Sequence, residues 1–258
     1  MGQPLTFYGM SSPNARKVAI LLEEIGLLYR TEHVAVFRGR QFDERFLALS
    51  PMAKVPVIVD PDGPAGAEPI FESGAILIYL AETYAPQFYP ADGPERWQVL
   101  KWLMLQMSQV GPVFGQHSHY RLLQGQDYAA GRARRGMAQI FQALERRLGE
   151  AQWLGGGSYS IADVATYPWA KRLKRYGLDP AEYPQVTAWR AAIEARPAIG
   201  RAHRVIAEWA RQDTADRAAA THEENEMFQG LHIRAPSAQA ASAHNGQIES
   251  ERERNGHG

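Results

Sequence analysis

The chain has 258 residues, enough for one large domain or two modest ones, and a fold of that size buries a stable core without disulfide or metal staples. Basic and acidic residues are balanced at 28 each, so no net field draws the protein to nucleic acid or to an anionic membrane. There is no cysteine, which excludes a disulfide framework, a thiolate metal site and a cysteine nucleophile; any thiol chemistry must use a thiol brought by a ligand. The opening MGQPLTFYG carries no basic stretch followed by an apolar one, and no apolar run approaches the roughly 18 residues of a membrane span. A cytoplasmic protein that binds small or locally recognised ligands is expected.

Residues 5–8 read as a short buried strand, and Gly9 to Pro13 as a turn. In the following VAILLEEIGL, Val18, Leu21, Leu22 and Ile25 recur at helical spacing up to Gly26. Residues 30–36 alternate and are partly β-branched, a second strand, and residues 41–49 form a short helix stopped by Ser50-Pro51. A strand at 55–59 containing Pro56, a turn at 61–66, a strand at 69–71 and a helix at 73–84 complete the order β-α-β-α-β-β-α. That order describes a small mixed α/β sheet domain with helices on its faces.

Pro, Gly and acidic residues then mark a linker, which divides the chain into a first domain at 1–87, a linker at 88–94 and an all-α domain at 95–215. Helices are expected at 95–110, 125–148, 160–176 and 183–195. Ser160 with Asp163 has the spacing of a capping box, a folding signal without chemistry. From 216 to 258 the apolar stripe is lost, which predicts a disordered or extended tail.

Three short constellations have chemical potential. Ser11 and Ser12 precede Pro13, so one of them is expected to cap the first helix; the same position, with the Asn14 amide, suits an anion such as a ligand thiolate. Val55-Pro56 opens a strand: trans is the commoner form, whereas a cis bond would present the Val55 N–H and C=O to an extended peptide ligand. Glu72-Ser73-Gly74 precedes AILIYLAE, so Ser73 is expected to be the N-cap, with free backbone donors for a ligand carboxylate and Glu72 for a ligand amine. Each of the three, taken alone, reads more simply as a plain cap or an edge proline.

In this order they resemble the glutathione transferase superfamily. The resemblance covers about residues 4–210 and is carried by SSPNARKVAILLEEIGL, RGRQFDERFLALSPMAKVPVIVD, PIFESGAILIYLAE and WLGGGSYSIADVATYPW. The Pro-Asn turn with WLMLQMSQVGPVFGQHSHY is similar to the nu class, the bacterial disulfide-bond reductase branch related to the yeast nitrogen-regulation prion protein. The resemblance implies a thioredoxin-like domain followed by a helical bundle, paired as a homodimer. It implies glutathione as co-substrate, with the γ-glutamyl head on Glu72 and Ser73 and the cysteinyl backbone on Val55 beside Pro56. Gln41 and Lys54 match positions at the glycyl end, and Arg132 one that reaches toward the ligand. Ser12 stands where the class usually has Thr, keeping the hydroxyl; with Asn14 it would hold the glutathione sulfur as thiolate.

Glutathione or its disulfide, with a small electrophile or disulfide as second substrate, is the expected ligand set, with no metal, nucleic acid or membrane. Disulfide reduction with weak conjugating activity is the leading expectation. The alternatives are a non-catalytic glutathione-binding regulatory or stress protein and a glutathione-dependent isomerase or dehalogenase. His117 and His119 lack a third metal ligand and read as polar lining between the domains; Tyr8, at the end of the first strand, ranks below Ser12 as the sulfur's partner.

Overall fold

The computed structural model describes residues 3–231. The first domain runs β1 (Leu5–Gly9), α1 (Pro13–Ile25), β2 (Tyr29–His33), α2 (Glu44–Leu47), β3 (Val57–Val59), β4 (Ile70–Phe71) and α3 (Ser73–Tyr84). Its sheet has the order β2-β1-β3-β4, with β1 parallel to β2 and antiparallel to β3, and β4 antiparallel to β3. The β-α-β-α-β-β-α order is as expected. The second strand is shorter than its alternation suggested, ending at His33, and two tight 3-10 turns (Val36–Arg38 and Arg40–Phe42) follow.

Helix α1 determines how the halves fit. Ser12 caps its start, and Gly26 ends it in the left-handed conformation (φ 74°), donating its N–H to the Leu22 carbonyl. Ala15, Val18, Ala19, Ile20, Leu21 and Leu22 are all fully buried, which is more than one face of a helix. The extra faces are covered by α3 from its own domain and by two helices of the second, α7 (Ile161–Ala170) and α9 (Pro197–Ala219).

The second domain also contains α4 (Gly93–Leu105), α5 (Gly111–Tyr120), α6 (Asp127–Glu150) and α8 (Pro184–Glu194). The helix expected to end at 110 continues instead through one wide π turn (Gln106–Val110) into α5. Pro112 lacks an N–H, and the irregular turn before it absorbs the missing bond. One apolar cluster runs without a break from β1 to α9, where the Trp209 ring lies 4.9 Å from that of Phe7. The approach is so close that a Cβ on Gly9 would meet Trp209 at 2.5 Å, so only glycine fits there.

The disordered or extended tail expected at 216–258 is corrected over its first part: α9 continues to Ala219, and α10 (His222–Gln229) follows. A capping box between Thr221 and Glu224 starts α10. It docks on the 3-10 turn of the first domain, with Phe228 4.5 Å from Phe37 and Glu224 paired to Arg38 at 3.0 Å. Its contacts with the first domain join residues far apart in sequence, which periodicity does not reveal. Residues 232–258 of that predicted tail lie outside the described residues.

Asp163 organises the second domain. Its side chain accepts from the backbone N–H groups of Ser160 (3.0 Å) and Leu154 (2.9 Å) and from Trp189 Nε1 (2.9 Å), so the predicted capping box also joins α7 to α8 and to the preceding loop. Burial outweighs those donors, which favour the charged form, and its carboxyl stands raised at about 6. Asp163→Ala would strand these buried donors, and urea unfolding is expected to show a loss of about 3 kcal/mol. Ending the chain at Ala219 is expected to lower Tm by a few degrees in calorimetry, because Phe37 and Arg38 lose their partners on α10.

Candidate functional site

A cleft of about 140 Å³ opens beside the N-termini of α1 and α3, lined by Asn14, Lys54, Val55, Pro56, Glu72 and Ser73, together with Ser50, Met52 and Phe71. The three weak constellations of the sequence therefore meet in one place, although up to 59 positions separate their members (Asn14 to Ser73).

On the α1 side, Ser12 is the N-cap, its hydroxyl oxygen accepting the Ala15 N–H at 3.1 Å. A hydroxyl has one hydrogen and two lone pairs, so capping leaves the Ser12 hydrogen free to donate. Ser11 is differently committed: its backbone N–H donates to Asp213 Oδ2 at 2.8 Å and its hydroxyl donates to the same oxygen. Asp213, on α9, also pairs with His33 Nε2 at 2.8 Å, and these partners hold its carboxyl below the usual range despite its desolvation. Ser11 thus anchors the turn and Ser12 carries the available donor. The Asn14 Oδ1 accepts from Trp169 Nε1 at 3.2 Å, which leaves the Asn14 NH₂ as the end with unused donors.

In the middle of the cleft the Val55–Pro56 bond is cis. Among the described residues neither the N–H nor the C=O of Val55 has a hydrogen-bonding partner. The backbone just before it is fixed by Ser50, whose hydroxyl donates to the Lys54 carbonyl at 2.9 Å and accepts the Lys54 N–H at 3.1 Å.

On the α3 side the expected N-cap is displaced by one residue. Ser73 is already helical, and Glu72 occupies the cap position with φ 66° and ψ 114°. The Glu72 carbonyl accepts the Ile76 N–H at 2.9 Å, leaving the first N–H groups of α3 facing the cleft end. A positive φ is costly for a residue with a Cβ, about 1–3 kcal/mol, and such residues concentrate at binding sites.

Beneath Ser73 lies a residue that the sequence reading passed over. Lys17 is 1% exposed, and its Nζ donates to Ser73 Oγ at 3.1 Å and to Gln106 Oε1 at 2.6 Å. Burial pulls its ammonium down to about 7, against the opposing field of Glu72. The signal was present: Lys17 precedes Ile20 and Leu21 by three and four positions, on the face where both are buried.

Three predicted site residues do not line the cleft. Ser12 is the α1 cap, two positions before Asn14, Gln41 is buried with its Oε1 unpartnered, and Arg132 is exposed on α6. Tyr8 lines a separate cleft with Glu32, His33 and Arg40. His117 is buried in the second domain against the Tyr176 ring, its imidazole pushed toward the neutral form by burial. Among the described residues no group of three or more His, Cys, Asp or Glu side chains could hold a metal ion. No described helix is long and apolar enough to cross a membrane.

Comparison with known proteins gives matches for both halves. Residues 11–83 match the glutathione S-transferase N-terminal domain and residues 103–197 the C-terminal domain. Disulfide-bond oxidoreductase YfcG of Escherichia coli is 40% identical over 202 residues, covering 77% of this chain and 94% of that protein. The chain belongs to the glutathione S-transferase family. Among solved structures, a Pseudomonas putida glutathione transferase with one glutathione disulfide bound per subunit is similar with a TM-score of 0.71 at 36% identity, covering 77% of this chain and 90% of that one. A family member from Pseudomonas fluorescens with two glutathione molecules bound gives a TM-score of 0.70 at 35% identity, covering 77% and 91%. Within the glutathione S-transferases the similarity runs to the branch of YfcG and of the yeast protein URE2, as the Pro-Asn turn implied.

In this transferase fold Glu72 is held in an unfavourable conformation by its surroundings, and glycine would be free of that cost. Glu72→Gly is therefore expected to raise the unfolding free energy by about 1 kcal/mol in urea melts.

Proposed function

We propose that the protein is a glutathione transferase with glutathione-dependent disulfide-bond reductase activity. The reading is carried by one observation: in a chain without cysteine, an unused Asn14 amide, an unpaired Val55 backbone and the free N-terminus of α3 with Glu72 share a single cleft. Glutathione has a matching set of groups in extended order. Its α-amino group pairs with Glu72 and its γ-glutamyl α-carboxylate with the α3 terminus and Ser73. Its cysteinyl amide pairs with Val55 as an added strand would, and Lys54 attracts the glycyl carboxylate.

That placement brings the thiol toward Ser12 and Asn14. A free thiol has a pKa of roughly 8.5 and is a minor thiolate at neutral pH. Donation from the Ser12 hydroxyl and the Asn14 amide at the start of α1 favours the charged form, so neither residue has to act as a base. In reduction, the thiolate attacks one sulfur of a disulfide substrate, forming a mixed disulfide and releasing the other sulfur as thiolate. A second glutathione thiolate attacks the glutathione sulfur of the mixed disulfide, releasing the second substrate thiolate and leaving glutathione disulfide. With an electrophile the same thiolate forms a conjugate. We place this chemistry in the cytoplasm and in a homodimer; no step is assigned to Gln41 or Arg132.

The test is calorimetric titration with glutathione and its disulfide, followed by reduction of a small disulfide coupled to glutathione reductase and NADPH. Turnover is expected, and binding without it would leave only a glutathione-binding protein. Ser12→Ala and Asn14→Ala are each expected to lower kcat/KM by about tenfold to a hundredfold and to reduce the ultraviolet thiolate absorbance of bound glutathione, with cooperative melting retained and, for Ser12→Ala, a Tm lower by a few degrees from the lost cap. Wild-type turnover in either variant removes that residue from the mechanism.

A further inference from the structure

Lys17 joins the two domains beneath the cleft in a way that packing alone does not require. An ammonium has three hydrogens and no lone pair, and three acceptors surround this one: Ser73 Oγ at 3.1 Å, Gln106 Oε1 at 2.6 Å and Met107 Sδ at 3.7 Å. Among the described residues it forms no ion pair, so a buried cation stands without a countercharge in contact. The oxygen of Gln106 faces Lys17 at the expense of the amide nitrogen, which is buried without a partner. Holding the lysine outweighs satisfying the glutamine.

The consequence falls on Ser73. With a lone pair engaged by Lys17, the hydroxyl directs its hydrogen elsewhere, toward Met107 Sδ at 3.8 Å, a weak acceptor. Ser73 also lines the cleft at the N-terminus of α3, where partial positive charge favours an anion. A ligand carboxylate there is a stronger acceptor than a thioether and takes the hydrogen in its place.

We propose that Lys17 is a positioning residue of this cleft: held by Gln106 of the helical domain, it orients the Ser73 hydroxyl as a donor to the ligand's γ-glutamyl α-carboxylate and supplies the countercharge through that one oxygen. The inference rests on glutathione being the ligand. It adds a specificity for the free α-carboxylate that neither the helix terminus nor Ser73 would give alone. Because Glu72 opposes the effect of burial on Lys17, a second anion on the same side strengthens the charged state further.

The experiment compares glutathione with the analogue whose γ-glutamyl α-carboxylate is a neutral carboxamide, by calorimetry on the full chain. Wild type is expected to prefer glutathione by about tenfold or more. Lys17→Met, with a similar length and no charge, is expected to bind glutathione about tenfold more weakly while holding the analogue as wild type does, so the preference collapses. Equal losses for both ligands, or no loss, would reduce Lys17 to a packing element and overturn the inference. If Lys17→Met fails to melt cooperatively, Ser73→Ala decides: it must also abolish the preference, and retention of the full preference overturns the inference. Wild type binding both ligands equally also overturns it while leaving the glutathione reading intact. Wild type binding neither removes both.

Discussion

The burial of α1 on every side is the constraint from which the rest of the molecule follows. A helix whose apolar residues surround its axis cannot be finished by the sheet and α3 alone; it needs α7 and α9 from the other domain. Its N-terminus is therefore fixed in a wall made by both domains, and its cap, its unpaired donors and its one buried lysine are set in place by that packing. A helix end on a flexible surface would offer the same dipole without a fixed direction.

The polar residues at and near the start of α1 are in turn oriented from the helical domain. Trp169 decides which end of the Asn14 amide is left over, Asp213 takes Ser11 out of contention so that Ser12 has the spare hydrogen, and Gln106 holds Lys17 under Ser73. Along α1 the sheet domain supplies the polar groups and the helical domain supplies their directions. Pre-set orientation of this kind lowers the entropy lost when a ligand binds, which is how an exposed cleft can be selective.

The parts of this arrangement that were legible in the sequence are local ones. The order of strands and helices, the helix Ser73–Tyr84 and the Ser160–Asp163 box follow from periodicity and capping, whose range is a few residues. The meeting of Asn14, Val55 and Glu72 was reached only through resemblance, because each is ambiguous alone. The displaced cap at Glu72 was missed since a serine before an apolar run is the usual signal, and nothing local announces a positive φ on glutamate. Longer-range partnerships were invisible: Lys17 with Gln106 spans 89 positions and Ser11 with Asp213 spans 202. Helix α10 escaped for a related reason, since its anchors, Phe228 on Phe37 and Glu224 on Arg38, join residues about 190 positions apart.

The return of α9 and α10 to the first domain also bears on how the chain is made. Synthesis proceeds from the N-terminus at a pace that lets early domains fold first. Here the sheet and α3 emerge well ahead of Trp209, which packs on Phe7, and of Asp213, which holds Ser11. On the ribosome the nascent first domain must therefore wait with one side of α1 and the underside of β1 uncovered until α9 has left the exit tunnel. The turn from Ser11 to Asn14 is completed among the last pieces of the fold, although its residues are among the first to be translated.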